Sequence, residues 1–109
     1  MADRTDILRL VRAAVRVRLL FLPHAVRQMS RPDRMIEPAE VRNVVENGWL
    51  IEDYPRDSRG HSCLLLGSGH GGRLIHVVCS PKQEYLAIIT AYLPGPDEWE
   101  PDFATRRKP

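Results

Sequence analysis

The 109-residue chain predicts an α+β domain, with N-terminal helices packed on one face of a four-stranded, mainly antiparallel sheet. Three observations lead there. Helical apolar spacing is confined to the first half of the chain, aliphatic and β-branched runs fill the second, and the connections between those runs are short. The length suits one core and is too short for two. Apolar residues make up 43% but aromatics only 6%, so aliphatic side chains must carry the packing. A single domain is expected over 1–109, comprising an extra N-terminal helix (1–19), an α+β core (20–93) and a Pro-rich tail (94–109).

The first element is an amphipathic helix over 5–19. At about 100° per residue, Ile7, Leu8, Leu10, Val11, Ala14, Val15 and Val17 share one half of the wheel, while Arg9, Arg12 and Arg16 cluster opposite. Thr5 or Asp3 is placed to cap its start. A short apolar stretch, Leu19–Leu22, stops at Pro23. The segment from His24 to Met29 is helical in character and ends before Pro32. A cleaner helix follows over 38–47, with Pro38 in its first turn, Val41, Val44 and Val45 on one face, and Gly48 as C-cap. The runs WLIEDYP, CLLLG, RLIHVVCS and YLAIITAYL then read as strands. The closing PGPDEWEPDFATRRKP is expected to lie over the surface, anchored by Trp99 and Phe103.

Strand parity predicts two unlike sheet faces. With tight hairpins near 68–72 and 80–84, all odd residues share one face and all even residues the other. The odd face (Cys63, Leu65, Ile75, Val77, Cys79, Ala87, Ile89, Ala91 and Leu93) is wholly apolar and should meet the helices. The even face (Leu64, Leu66, Leu74, His76, Val78, Leu86, Ile88, Thr90 and Tyr92) carries three polar residues on the last two strands, which suits a shallow cleft.

Charge is distributed in blocks. Residues 1–34 carry net +5, residues 35–105 net −6, and Arg106–Lys108 +3. This asymmetry allows contact with an anionic partner. No apolar run approaches the ~18–20 residues of a membrane span, and MADRTDILRL has no signal-peptide core, so a soluble, cytoplasmic protein without membrane contact is expected. Cys63 and Cys79 lack C-x-x-C spacing, which argues against a zinc ribbon or a disulfide scaffold; both are expected to be reduced and buried on the helix-facing side.

Two motifs lead away from cofactors. Gly67-Ser-Gly-His-Gly-Gly72 fits G-x-G-x-x-G, but that pattern binds a dinucleotide only where a helix follows, and here a strand does. It is expected to be a flexible hairpin loop with no nucleotide cofactor. Among the four histidines and two cysteines only His61-Ser-Cys63 is locally compact, and no metal site is expected. His24 opens a helix three residues before Arg27, and His76 sits within an apolar strand. Each alone fits a hydrogen-bonded structural histidine. With Thr90, Tyr92 and nearby arginines they form a candidate acid/base set, because an imidazole with a pKa near ~6.5 exchanges protons at neutral pH and a guanidinium can hold phosphate.

The segments FLPHAVRQM, IEPAEVRNVVENGWLIEDYP, LLLG, GRLIHVVCS and LAIITAYLPGPDEWEPDFATRR together resemble the domain-of-unknown-function 4258 family, over about residues 20–107. The shared pattern is a His-Ala segment ending in Arg-Met, an Asn-Gly helix end, His-Val-Val, and Ile-x-Thr-x-Tyr-x-Pro followed by Trp. The chain departs at one position: Gln28 stands where Arg before Met is usual, with Arg27 one step earlier. That family in turn resembles small RelE/BrnT-like toxins. The resemblance implies a toxin-type, metal-independent RNA endonuclease paired with a cognate antitoxin. On that basis the catalytic candidates are His24, His76 and Tyr92, and the substrate-binding candidates are Arg27, Thr90, Arg106 and Arg107. The residues alone also fit a non-enzymatic interaction module, with structural histidines and with Leu64, Leu66, Leu86 and Ile88 facing a partner. One structural point separates the two: the enzyme needs His24, His76 and Tyr92 in one solvent-open cleft.

Overall fold

A computed structural model describes residues 4–108, and the amphipathic pattern at the start becomes helix α1 (Arg4–Val17). Ile7, Val11, Ala14 and Val15 are buried against the sheet. The candidate cap Asp3 lies outside the described residues, as does the side chain of Thr5. The wheel is less tidy than its apolar count suggests, since Leu10 and Val17 are exposed. Arg12, expected on the solvated face, is half-buried instead. Its Nε and Nη2 donate to the carbonyls of Val45 and Gly48, each at 2.8 Å. It thereby satisfies acceptors that the end of the next long helix leaves open.

After α1 come β1 (Leu19–Phe21), α2 (Pro23–Met29), α3 (Pro38–Asn47), β2 (Trp49–Tyr54), β3 (Ser62–Ser68), a 3₁₀ turn (His70–Gly72), β4 (Leu74–Pro81) and β5 (Leu86–Tyr92). Pro38 occupies the first turn of α3, where its missing N–H costs nothing. Gly48 ends α3 because a Cβ there would lie 2.6 Å from the carbonyl oxygens of both Val44 and Leu66. The C-cap is thus a close-approach glycine, and its φ of −78° is open to any residue.

The sheet has five strands in the order β1-β5-β4-β3-β2, one more than expected. The addition is β1, which pairs parallel with β5 (Leu19 opposite Leu86); the other three pairings are antiparallel. Three residues inside an apolar stretch continuous with a helix carry too little periodicity to announce a strand.

Parity holds across β3 and β4, where Cys63, Leu65, Ile75, Val77 and Cys79 all join the helix-side core. It fails in β5. The register slips between Val78 and Cys79, so that Thr90 faces Val78 but Ile88 faces Cys79, leaving Ile89 as an extra residue. This β-bulge reverses the faces beyond it. Leu86 and Ile88 therefore lie in the helix-side core, whereas Ala87 and Ile89 do not. The apolar partner surface expected from Leu64, Leu66, Leu86 and Ile88 is not present as such: two of the four face the helices, and Leu64 and Leu66 are buried on the other side.

What buries that second face is the C-terminal segment. Residues 94–107 fold into an irregular hairpin strap, with Trp99 and Arg106 bridged antiparallel. Glu100 N–H bonds the Thr105 carbonyl and Arg107 N–H the Glu98 carbonyl. Trp99 is 2% exposed and anchors the strap as expected. Phe103, at φ 54°, takes the left-handed conformation rare for a residue with a Cβ.

Candidate active-site cleft

His76 and Tyr92 are direct cross-strand partners on the strap side of the sheet. The His76 ring meets Tyr92 edge-on at 5.3 Å between centroids and Trp99 edge-on at 4.5 Å. It is fully buried. Its Nε2 lies 2.7 Å from the Phe103 carbonyl oxygen and its Nδ1 lies 3.2 Å from the Tyr92 hydroxyl. Burial pushes its pKa below the ordinary histidine value, against the opposing pull of the Phe103 carbonyl and Glu52. Burial likewise raises the Tyr92 phenol above its usual range.

Above this buried ring an open cleft of about 370 Å³ is lined by His24, Gln28, Arg34, Thr90, Tyr92, Glu98, Trp99 and Arg106. Four different parts of the chain build it. The first turn of α2 presents His24 to solvent, because Ala25 and Met29 turn the opposite side of that helix into the core. Gln28 is one turn on from His24, and its Oε1 accepts a hydrogen bond from Arg34 Nη1 at 2.8 Å. The last part of β5, after the bulge, brings Thr90 and Tyr92. The strap supplies Glu98, Trp99 and Arg106.

Arg106 is held firmly. Its Nε and Nη2 donate to Glu52 Oε2 and Oε1 at 2.7 and 3.0 Å, and its guanidinium lies 4.7 Å from the Trp99 ring centroid. This pairing holds the Glu52 carboxyl below its usual pKa range. Tyr54 also hydrogen-bonds Glu52, and its phenol is pushed up to about 12, chiefly by burial.

A second charged cluster lies at the start of α3. Ligand atoms of Glu37, Glu40 and His70 fall within 4.8 Å of one another, a grouping not legible in the linear spacing. Glu40 is already saturated, however. Its Oε1 accepts from Glu37 N–H and Arg73 Nη2, and its Oε2 from His70 N–H and Arg73 Nε, which fills the four lone-pair positions of a carboxylate. Arg73 also donates to the Arg34 and Met35 carbonyls. The cluster is a clasp that ties α3 to the glycine loop and to the segment leading into α3. It also accounts for Gly69, where a Cβ would lie 2.2 Å from Glu40 Oε2. A strand, β4, follows that loop, so no helix N-terminus is present for a dinucleotide phosphate. His61, of the locally compact His61-Ser-Cys63 segment, hydrogen-bonds Asp53. Cys63 and Cys79 are directly opposed across β3 and β4, buried and unbridged, with their sulfurs 4.0 Å apart.

The family model for a domain of unknown function, DUF4258, matches residues 21–93, two thirds of the chain. This chain is a member of the DUF4258 family. No curated protein and no solved structure matches it. The DUF4258 match begins at Phe21, the last residue of β1, and takes in α2, α3 and the other four strands, but α1 and the strap lie outside it. Three of the eight cleft residues (Glu98, Trp99 and Arg106) thus come from beyond the matched segment.

Of the residues singled out in the sequence, His24, Thr90, Tyr92 and Arg106 meet at the cleft. His76 does not line it; it lies underneath, reached through the Tyr92 hydroxyl. The requirement of three groups in one solvent-open cleft is therefore met by two. Arg27 is exposed on α2 outside the cleft lining. Arg107 sits within the strap, where its Nε donates to the Pro96 carbonyl and its Nη1 lies 3.5 Å from Glu100. Gln28, Arg34, Glu98 and Trp99 are not among the site candidates that the sequence offers. Arg34 stands before no recognisable element, and only the fold reveals that Gln28 holds it at the cleft.

No helix of the described residues is long and apolar enough to cross a membrane. A larger groove of about 440 Å³, lined by Leu10, Ala13, Ala14, Val17, Pro81, Lys82 and Gln83, runs beside α1. Lys82 is its single titratable group, so it offers no acid/base pair.

Proposed function

We propose that the cleft binds RNA and cleaves it without a metal, as a toxin-type endonuclease would. The observation that carries this reading is the meeting of a solvent-exposed imidazole, two guanidinium groups, a carboxylate and a phenol in one open cleft. The chemistry needs a proton acceptor, a proton donor and a cation around one phosphate. In this scheme the ribose 2′-oxygen attacks the adjacent phosphorus as its proton passes to one group. The bond from phosphorus to the 5′-oxygen breaks as that oxygen takes a proton from another, leaving a 2′,3′-cyclic phosphate and a 5′-hydroxyl. His24 and Glu98 serve as the proton-transferring groups, and Arg34 holds the phosphate with Arg106 behind it. His76, both of whose nitrogens are engaged, is a positioning residue in this scheme.

The RelE/BrnT-like kinship and a cognate antitoxin belong to the same proposal. A second reading, a non-enzymatic interaction module, is favoured by the apolar groove at the exposed Leu10 and Val17. Incubating the protein with end-labelled single-stranded RNA in the presence of a chelator tests the first reading. Fragments ending in a cyclic phosphate support it, and intact RNA at stoichiometric protein favours the interaction module.

A further inference from the structure

The direction of one hydrogen bond decides what Tyr92 can offer a ligand. The Phe103 carbonyl can only accept, so His76 Nε2, 2.7 Å away, carries a proton. Burial keeps the ring neutral at neutral pH. The lone pair is therefore on Nδ1. The Tyr92 hydroxyl, 3.2 Å from Nδ1, must donate its only proton there. At the cleft the phenolic oxygen has lone pairs alone to present, so Tyr92 accepts and a ligand must donate. Around it, Arg34 and Arg106 favour an anionic group such as phosphate. In a nucleotide, the hydrogen-bond donor closest to the phosphate is the ribose 2′-hydroxyl, which DNA lacks.

We propose that Tyr92 accepts a hydrogen bond from the 2′-hydroxyl of a ribose beside the one whose 2′-oxygen attacks, so that the cleft selects RNA over DNA, with His76 fixing the direction of that bond. This inference rests on the cleft being a nucleic-acid site. Base amino groups are also donors, but they are common to RNA and DNA of one sequence and cancel in a matched comparison.

The test titrates a fluorescent ten-nucleotide single strand, as RNA and as DNA of the same sequence, into His24→Ala protein so that the RNA stays whole. RNA should bind about tenfold more tightly than DNA, the worth of one hydrogen bond to a sugar hydroxyl. Adding Tyr92→Phe should bring RNA down to the DNA affinity while leaving DNA binding unchanged. Adding His76→Gln, whose amide can both donate to Phe103 and accept from Tyr92, should keep the preference. Equal affinity for RNA and DNA, with both weakened by Arg34→Ala, overturns this inference and leaves the cleft a nucleic-acid site. An RNA preference that survives Tyr92→Phe also overturns it. Binding of neither strand overturns the functional proposal and this inference together.

Discussion

The His76 Nε2–H points at the carbonyl of Phe103, 27 residues further along the chain, at 2.7 Å. This one bond ties the fourth strand to the C-terminal strap. The histidine that the sequence offered as a base is thus a fastener, and its loss should be read first in stability. His76→Leu leaves the half-buried Phe103 carbonyl and the Tyr92 hydroxyl without their histidine partner. It should cost about 1–3 kcal/mol and make the strap more sensitive to protease. His76→Gln should recover much of this. Thermal melts and limited proteolysis of the two variants provide the check. Equal stability of His76→Leu and wild type would show that the strap is held by other contacts.

The same residue sets a pH dependence. Its folded-state pKa lies below the ordinary 6.5 because burial disfavours the cation. Below pH 6.5 the unfolded chain takes up a proton that the folded chain resists. This contribution is therefore fully present above pH 6.5 and declines as the pH falls beneath it. Denaturant midpoints measured from pH 7.5 to 5 should decline for wild type and be flatter for His76→Gln.

A second acid-sensitive element is the clasp at the start of α3. Arg73 and the N–H groups of Glu37 and His70 hold the Glu40 carboxyl at a pKa of about 2, below the usual 4.5. Its stabilisation is present above pH 4.5 and is lost as the pH falls towards 2. Glu40→Gln removes the charge opposite Arg73 and puts an amide NH2 where a carboxylate oxygen accepted two hydrogen bonds, and should cost about 2–3 kcal/mol. That is less than for a wholly buried pair, because the Arg73 side chain is 31% exposed. Urea unfolding at pH 7 reads this directly.

Cys63 and Cys79 should react with an aromatic disulfide reagent only after unfolding. The hydrogen-bonded Cys63 thiol and, after it, burial push the Cys79 thiol well above its usual range, and neither sulfur reaches solvent. Rapid labelling of both in the native protein would contradict the packing of this core.

Element order was legible because each long element carries its own period. Val41, Val44 and Val45 announce α3, and the odd residues of β3 and β4 announce the core face. Single-residue events were not legible. One extra residue at Ile89 turned Leu86 and Ile88 to the helix side, and nothing in an aliphatic run marks a bulge. Arg12 reads as one more solvated arginine until α3 ends beside it. The site was half legible. His24, Thr90 and Tyr92 stand out as polar residues beside apolar ones. Arg34 and Glu98 sit among many charges, and only the loop and the strap bring them to the cleft.

In the proposed mechanism His24 transfers a proton at an RNA phosphate in the cleft. The most direct measurement is the single-turnover rate of RNA cleavage by wild type, His24→Ala and Arg9→Ala proteins, each first shown to melt like wild type. His24→Ala should slow cleavage by about 10²–10⁴-fold, the worth of one general acid or base. Arg9→Ala, exposed on α1 away from the cleft with Asp6 at 3.9 Å, should leave the rate near wild type. Cleavage that survives His24→Ala, or a wild-type protein that leaves RNA intact, would contradict the account.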